Sequence, residues 1–270
     1  MKLCLPKSGI QHSIYIPSVL LFLCIGFLPA YVAGQNGDSL LSYGMLKKMS
    51  LQQLMRIEVT SVSKTPEKLT AAASAVQVIT GEDIRRSGAT TIPEALRLAA
   101  NLQVAKVNAS QWAISARGFN NVLADKLLVL IDGRTVYTPL YAGVYWDVQN
   151  VLLEDVDRIE VISGPGGTLW GANAVNGVIN IITKSAKETK GLFVQGGAGN
   201  RTPWSGNLRY GGKIGENMNY RVYGTGFKQA GTGLVKGPVA NDDWTMGQGG
   251  FRFDWDAGRK DQFTLQSDFY

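Results

Sequence analysis

The sequence predicts an α+β domain, in which a mixed sheet is combined with short helices, followed by the first strands of an antiparallel transmembrane β-barrel. Strand patterns and short capped helices alternate between residues 71 and 185. From residue 191 onward, segments of about ten residues alternate in polarity between turn residues, which is typical of membrane barrels. The chain also begins with the pattern of a secretory signal, which agrees with export.

The first 34 residues have the composition of a cleaved signal. Lys2 and Lys7 precede a mostly apolar stretch at 14–28, and small residues end the segment at Gly34. The alternative is a membrane anchor, but the apolar run is shorter than the roughly 20 residues that a helical span needs. We therefore expect the mature chain to start at Gln35.

Composition excludes several classes of function. The net charge of +6, without a cluster of Lys and Arg, is too mild to predict a nucleic-acid partner. The two cysteines, Cys4 and Cys24, and the single histidine, His12, all lie in the predicted signal. The mature chain would then lack the residues for disulfides, Cys/His zinc sites and Ser-His-Asp catalysis. The sequence therefore predicts neither an enzyme nor a cofactor.

Two short helices are predicted after the first strand of the α/β region. The run AVQVIT at 75–80 favours a strand, and its last residue, Thr80, can cap a helix over 81–87. The sequence TIPE at 91–94 is a capping-box pattern with proline in the first turn, and predicts a helix through Ala100.

The other strands of this region are short and apolar. An Asp-Gly pair at 132–133 predicts a hairpin. Both faces of GVINIIT, at 177–183, are apolar apart from Asn180, so we expect both to be covered. The predicted strands lie at 102–107, 112–118, 127–131, 134–137, 158–162 and 177–183.

Five further strands are predicted after residue 191. In the clearest strand, Phe251, Phe253 and Trp255 alternate with charged residues. The alternation is weaker in the strands around residues 193, 208 and 222, because these contain many glycines. A soluble antiparallel sandwich alternates in the same way, but aromatic, glycine-rich strands after a signal favour the outer membrane. An open sheet of five strands would leave unsatisfied edges in a bilayer, so we expect the chain to be part of a longer protein.

A long ordered series of motifs resembles the TonB-dependent outer-membrane receptors. The motifs are EVTSVSK at 58–64, GEDIRRSGATTIPEALR at 81–97, ARGF at 116–119, LLVLIDGR at 127–134, and 143–184 from GVYWDVQ to NIITK. The resemblance implies a signal at 1–34, an extension with a TonB box at 35–70, a plug domain at 71–185 and barrel strands at 191–270. It also implies outer-membrane uptake of a scarce bulky ligand, such as a ferric siderophore, haem or cobalamin, with TonB and membrane lipid as partners. A secreted soluble β-rich protein that binds carbohydrate or a protein partner is the alternative.

The predicted TonB box is an extended segment followed by a polar tether. It comprises Glu58, Val59, Thr60, Ser61 and Val62. The residues favour a strand, and the sequence offers no obvious partner strand, so we expect the edge to be free for strand addition. The alternative is an ordinary first strand of the plug.

Aromatic residues near the plug apex are predicted to contact the ligand, with core packing as the alternative. The candidates are Asn108, Trp112, Tyr137, Tyr141, Tyr145 and Trp146. A second set of charged residues is predicted to join the plug to the barrel wall. It comprises Arg117, Arg134, Glu154, Arg158 and Glu160. A metal site is the alternative for the carboxylates near Arg158, and it is disfavoured because strand alternation would scatter them, so that charge pairing with the wall is their predicted use. These carboxylates are Glu154, Asp155, Asp157 and Glu160.

Overall fold

A computed structural model describes residues 58–59, 67–68, 75–118, 120–123, 126–164, 167–171, 173–233, 239–258 and 261–270. The predicted signal at 1–34 and part of the predicted TonB box, 60–62, lie outside the described residues.

The described elements alternate in the first region and form only strands in the second. The helices are α1 (Gly81–Ser87), α2 (Ile92–Ala95) and α3 (Gly167–Trp170), with 3₁₀ turns at Leu96–Leu98, Trp146–Val148 and Leu153–Asp155. The strands before residue 190 are β1 (Glu58–Val59), β2 (Glu67–Lys68), β3 (Ala75–Thr80), β4 (Leu102–Lys106), β5 (Trp112–Ala116), β6 (Leu127–Ile131), β7 (Arg134–Thr135), β8 (Val156–Ser163) and β9 (Gly177–Thr183). The later strands are β10 (Gly191–Gly197), β11 (Trp204–Ile214), β12 (Met218–Gln229), β13 (Trp244–Asp256) and β14 (Gln262–Phe269).

Helix α1 forms where its caps predict it. The Thr80 hydroxyl accepts the Asp83 N–H, and the Asp83 carboxylate accepts the Thr80 N–H, which completes a capping box. Gly88 ends the helix in the left-handed conformation, at φ 71°.

The second helix is shorter than predicted. Helix α2 passes into a 3₁₀ turn that ends at Leu98, so the expectation of a helix through Ala100 is wrong. The side chain of Gln77 explains the early end. It donates to the Leu98 carbonyl at 2.9 Å and accepts the Ala100 N–H at 3.0 Å. These bonds replace the next helical turn and direct the chain into β4.

Strand β9 lies at the centre of a mixed five-stranded sheet. The strand order is β3-β8-β9-β6-β7, and β6 runs parallel to β9 while the other pairs are antiparallel. Both faces of β9 are buried, as its apolar pattern predicts. Helices α1 and α2 and the β4–β5 hairpin pack on one face through a core that includes Ile79, Ile84, Ile92, Leu96, Ile114, Ile159, Ile179 and Ile181.

The five later strands form an antiparallel meander in sequence order. Apolar side chains alternate with polar ones, and the apolar face is open. Its exposed residues include Leu192, Val194, Leu208, Tyr210, Val222, Trp255, Phe263, Leu265 and Phe269. The opposite face carries buried polar residues, among them Arg221, Gln248 and Asp254. In the described part of the chain, no helix is both long enough and apolar enough to cross a membrane.

Candidate functional site at the interface between the two regions

Three arginines project from the polar face of the meander toward the α/β region. They are Arg209 on β11, Arg221 on β12 and Arg252 on β13, with side chains only 11%, 7% and 14% exposed. Arg221 and Arg252 are direct cross-strand partners. Like charges opposite each other destabilise a sheet, so the meander needs anions on this face.

Asp155 supplies the first anion. It ends the 3₁₀ turn before β8 and is 2% exposed. Its carboxylate accepts a hydrogen bond from Arg209 Nη1, and its second oxygen lies 3.4 Å from Arg221 Nε. Arg221 Nη1 also donates to the Lys184 carbonyl at 3.0 Å. One buried carboxylate thus holds two strands of the meander.

Asp132 supplies the second anion, from the Asp-Gly hairpin between β6 and β7. Its two oxygens accept the N–H and the hydroxyl of Thr183, each at 2.8 Å. Arg252 Nη1 donates to that hydroxyl at 3.0 Å and lies 3.6 Å from Asp132 Oδ2. Asp132 adopts a left-handed φ of 49°, which the hairpin turn requires.

Asp254 closes the network from the meander side. Arg252 Nε donates to its carboxylate at 2.9 Å, and its other oxygen accepts the Ala186 N–H at 2.7 Å. Ala186 belongs to the short link between β9 and β10, so this bond fixes the point at which the chain passes from one region to the other.

The interface is therefore built from paired charges rather than from apolar packing. Three arginines meet Asp132, Asp155 and Asp254, so the charges of these groups balance. Removing one partner of a buried pair is costly because the remaining charge stays unpaired. Separating both partners into water costs much less, since each group regains hydration. Such an interface can hold the two regions in register and still release them.

A cavity of about 890 Å³ lies beside this network. It separates α1 and the 150–157 segment from strands β10–β12. Polar side chains of the strands line it, namely Gln195, Ser205, Asn207, Thr225 and Gln229. Contact between the two regions is thus incomplete on this side, and polar groups face the gap.

The predicted ligand residues divide into buried and exposed members. Trp112 and Trp146 are each 6% exposed and belong to the core, so the alternative of core packing holds for both. Arg97 and Lys106 also lie over the Trp112 ring, at 5.2 and 5.4 Å from its centroid. The Trp112 ring thus contacts two cations of the plug.

The tyrosines and Asn108 lie nearer the surface. Tyr141 and Tyr145 stack with ring centroids 4.0 Å apart, and Tyr145 is 39% exposed. Tyr137 is half-buried. Asn108 is also half-buried, and its side-chain oxygen accepts the N–H groups of Ser110 and Gln111, which shapes its own loop.

Among the residues predicted to join the two regions, Arg134 does lie against the meander. Its guanidinium is 3.6 Å from Asp268 on β14. Arg158 instead pairs with Asp157 and Glu160 of its own strand, at 2.6 and 2.8 Å. Burial would lower the Arg158 pKa, but the bonds to Glu160 and Asp157 raise it overall.

The remaining two predicted contact residues, Glu154 and Arg117, lie beside other parts of the α/β region. The main-chain carbonyl of Glu154 accepts a bond from Lys184 Nζ at 2.7 Å, while its own side chain is exposed. Arg117 has a left-handed φ of 59°. Its guanidinium lies close to Gly164, since a Cβ added to that glycine would be 3.5 Å from Arg117 Nη2.

Sequence reasoning missed Asp132 as an interface residue, because the Asp-Gly pair predicts only a hairpin turn. It grouped Asp155 with Glu154, Asp157 and Glu160 as carboxylates that pair with the barrel wall, without distinguishing among them. Asp155 stands beside Glu154, and burial alone distinguishes the two carboxylates. Alternation does place Arg252 and Asp254 on the polar face of β13.

The first two residues of the predicted TonB box have a partner strand, contrary to expectation. Strand β1 pairs antiparallel with β2, so that Glu58 faces Lys68 and Val59 faces Glu67. Val59 is fully buried. The rest of the predicted box lies outside the described residues.

An α/β domain held by buried ion pairs against the polar face of an antiparallel meander has the architecture expected of a receptor plug beside the first strands of its barrel. The comparisons with known proteins agree. Residues 68–178 match the model of the TonB-dependent Receptor Plug Domain. The chain therefore contains a TonB-dependent receptor plug domain, followed by strands of its barrel.

Two relatives illustrate the sequence similarity. The chain is 30% identical over 164 residues to the vitamin B12 transporter BtuB of Vibrio cholerae, which covers 61% of this chain and 26% of that protein. It is 29% identical over 258 residues to the ferric enterobactin receptor of Pseudomonas aeruginosa, which covers 87% of this chain and 30% of that protein. The chain thus spans about a quarter to a third of the length of the curated relatives it matches.

Solved structures show the same fold. The pyoverdine outer membrane receptor FpvA of Pseudomonas aeruginosa aligns with a TM-score of 0.64 at 17% identity, over 78% of this chain and 29% of that one. The ferric yersiniabactin uptake receptor FyuA of Yersinia pestis aligns with a TM-score of 0.58 at 19% identity, over 74% of this chain and 32% of that one.

Proposed function

We propose that this chain belongs to a TonB-dependent receptor that takes up a scarce bulky ligand across the outer membrane. The ligand class would be a ferric siderophore, haem or cobalamin, and two relatives are named for vitamin B12 and for ferric enterobactin. The observation that carries the proposal is the buried ion network, because it holds a gating domain in place without fixing it irreversibly.

The lengths of the connections suggest an orientation. Residues 198–203 and 230–243 form the longer connections of the meander, and 215–217 and 257–261 the shorter ones. Outer-membrane barrels carry long loops outside and short turns in the periplasm. The ligand would then approach from the end of the long loops, and TonB from the end where Ala186 meets Asp254.

Tyr141 and Tyr145 support a role in ligand contact. Stacked aromatic rings offer a rigid surface at low entropic cost, and Leu140 beside them is 96% exposed. Asn108 and Tyr137 are proposed to complete this surface. The Trp146 ring, buried directly after Tyr145, would position the stack rather than touch the ligand.

The segment from Glu58 to Val62 is proposed to bind TonB by strand addition. Main-chain hydrogen bonds would supply the affinity. Strand β1 contributes only two residues to its ladder with β2, so the pairing is short enough to be exchanged for a longer one.

The proposal is tested by uptake in cells that carry the full-length receptor as their only route for iron or cobalamin. Growth on single sources identifies the ligand, and the same assay is repeated in cells without TonB. We expect uptake that requires both the receptor and TonB. Uptake that continues without TonB would contradict the mechanism. Recovery of the protein as a soluble periplasmic pool would instead favour a secreted binding protein.

A further inference from the structure

The tip of the β4–β5 hairpin in the plug is bonded to a barrel loop through its main chain. Ala109 lies at this tip and is 4% exposed. Its N–H donates to Asp242 Oδ2 at 3.0 Å, and its carbonyl accepts a bond from Trp244 Nε1 at 3.1 Å. Both main-chain groups of one plug residue are thus satisfied where the connection between β12 and β13 enters β13.

The plug side of this contact is organised in advance. Asn108 Oδ1 accepts the N–H groups of Ser110 and Gln111 at 3.0 and 2.7 Å, and the Val107 N–H donates to the Gln111 carbonyl at 2.9 Å. These bonds form a compact turn that presents the Ala109 peptide groups outward.

The barrel side is equally well defined. Asp242 Oδ1 accepts the Thr232 N–H at 2.7 Å, and Oδ2 accepts the Thr232 hydroxyl at 2.6 Å. Asp242 therefore ties together the two limbs of the loop at its base. The Trp244 ring stands edge-on to Phe227 at 5.4 Å, which fixes the direction of its N–H.

We propose that Asp242 and Trp244 form a latch that makes the plug hairpin tip and the base of the 230–243 loop move as one body. The carboxylate of Asp242 contacts the plug tip and both limbs of the loop, so a displacement of the loop base strains the bond to Ala109. By linkage, loosening of the tip must loosen the loop base in return. This inference goes beyond the proposed function, because its test needs neither ligand nor TonB.

Hydrogen exchange of the full-length protein tests the first half of the proposal. Asp242→Ala removes the acceptor, and we expect the Ala109 amide to exchange about tenfold faster or more, because charge-assisted hydrogen bonds are the strong class. Asp243→Ala is the matched control. Asp243 is the next residue, carries the same charge, and pairs with Lys228 at 3.1 Å. Equal exchange at Ala109 in both variants would overturn the latch.

A second variant keeps the proposal testable if Asp242→Ala does not fold. Trp244→Phe removes the indole N–H but keeps an aromatic ring against Phe227. We expect it to raise exchange at Ala109 by several-fold while β9 stays protected. If Asp242→Ala unfolds the plug, unchanged exchange at Ala109 in Trp244→Phe overturns the proposal by itself.

The reciprocal experiment separates coupling from simple contact. Asn108→Ala dismantles the turn, and should raise exchange of the Thr232 amide in the barrel loop several-fold. Gln111→Ala, which removes only the 3.0 Å bond from Asn108 Nδ2, should not. No change at Thr232 in Asn108→Ala would mean that the two sides touch without moving together, and would refute the latch.

Discussion

Asp155 and Arg209 form an ion pair between the plug and the barrel wall, in which the two side chains are only 2% and 11% exposed. The same carboxylate lies 3.4 Å from Arg221, whose cross-strand partner is Arg252. The wall thus presents adjacent cations that the plug neutralises. Charge complementarity, rather than apolar area, fixes the register of the plug against these strands.

Loss of Asp155 should loosen the plug. Asp155→Ala leaves Arg209 and Arg221 buried without their shared anion, which is expected to lower the free energy of plug unfolding by about 3–5 kcal/mol. Urea denaturation of the full-length protein, followed by hydrogen exchange of β8, measures the change. The neighbouring exposed carboxylate offers a control, since Glu154→Ala should stay within about 0.5 kcal/mol. Equal losses in the two variants would show that the ion pair does not hold the plug.

The close packing around Gly177 leads to a second prediction. A Cβ at this position would lie 2.5 Å from the Ile162 carbonyl oxygen of the adjacent strand, so the backbone must shift. Gly177→Val should therefore destabilise the plug by roughly 1–3 kcal/mol, the cost typical of overpacking. Gly206→Ala is the comparison, because no atom of the described residues lies within 4 Å of its Cβ position. Thermal denaturation that does not distinguish the two variants would argue against this packing.

Strands and caps were predictable from the sequence because local residue patterns determine them. The Thr80 cap, the Asp132-Gly133 hairpin and the alternation in β13 were all predicted. The interface was less predictable, because it depends on which carboxylates become buried when two regions meet. Asp155 is buried while Glu154 is exposed, and no pattern in the sequence distinguishes them. The early end of α2 similarly depends on Gln77, which lies on a distant strand.

Strand β1 belongs to the predicted TonB box and is paired with β2, and a proline substitution in it tests the proposed binding to TonB. Val59→Pro removes a main-chain donor and fixes φ, so it should abolish uptake while ligand binding at the cell surface stays intact. Val59→Ala keeps the main-chain groups and should reduce uptake far less. Binding and uptake are measured in the same full-length variants, with receptor levels quantified. If Val59→Pro lowers receptor level and ligand binding together, the segment is an internal strand of the plug and not a docking site.

The latch at Asp242 should resist mild acid. Hydrogen bonds from the Thr232 side chain and main chain and from the Ala109 N–H lower the pKa of Asp242 to about 2. Since the unfolded value is about 3.9, the stabilisation is complete above that pH and is lost as the pH falls through 2. Burial lowers the pKa of the nearby Lys106, and Asp242 is one of the carboxylates that oppose this shift. Exchange at Ala109, corrected for its intrinsic pH dependence, should be constant from pH 8 to 5, and a transition near pH 6 would contradict the assignment.

The stacked tyrosines give the most direct test of the ligand surface, because Tyr145 and Trp146 are adjacent in sequence but differ in burial. Tyr145 is 39% exposed and Trp146 is 6% exposed within the core. Tyr145→Ala should weaken ligand binding about tenfold, as loss of an aromatic anchor does, with plug stability changed by about 1 kcal/mol. Trp146→Ala should instead cost about 3–5 kcal/mol of plug stability, since it empties a core position. Titration with the ligand identified by the growth assay, alongside urea denaturation, separates the two effects. Full affinity in Tyr145→Ala would remove the tyrosine stack from the ligand surface and leave it a packing role only.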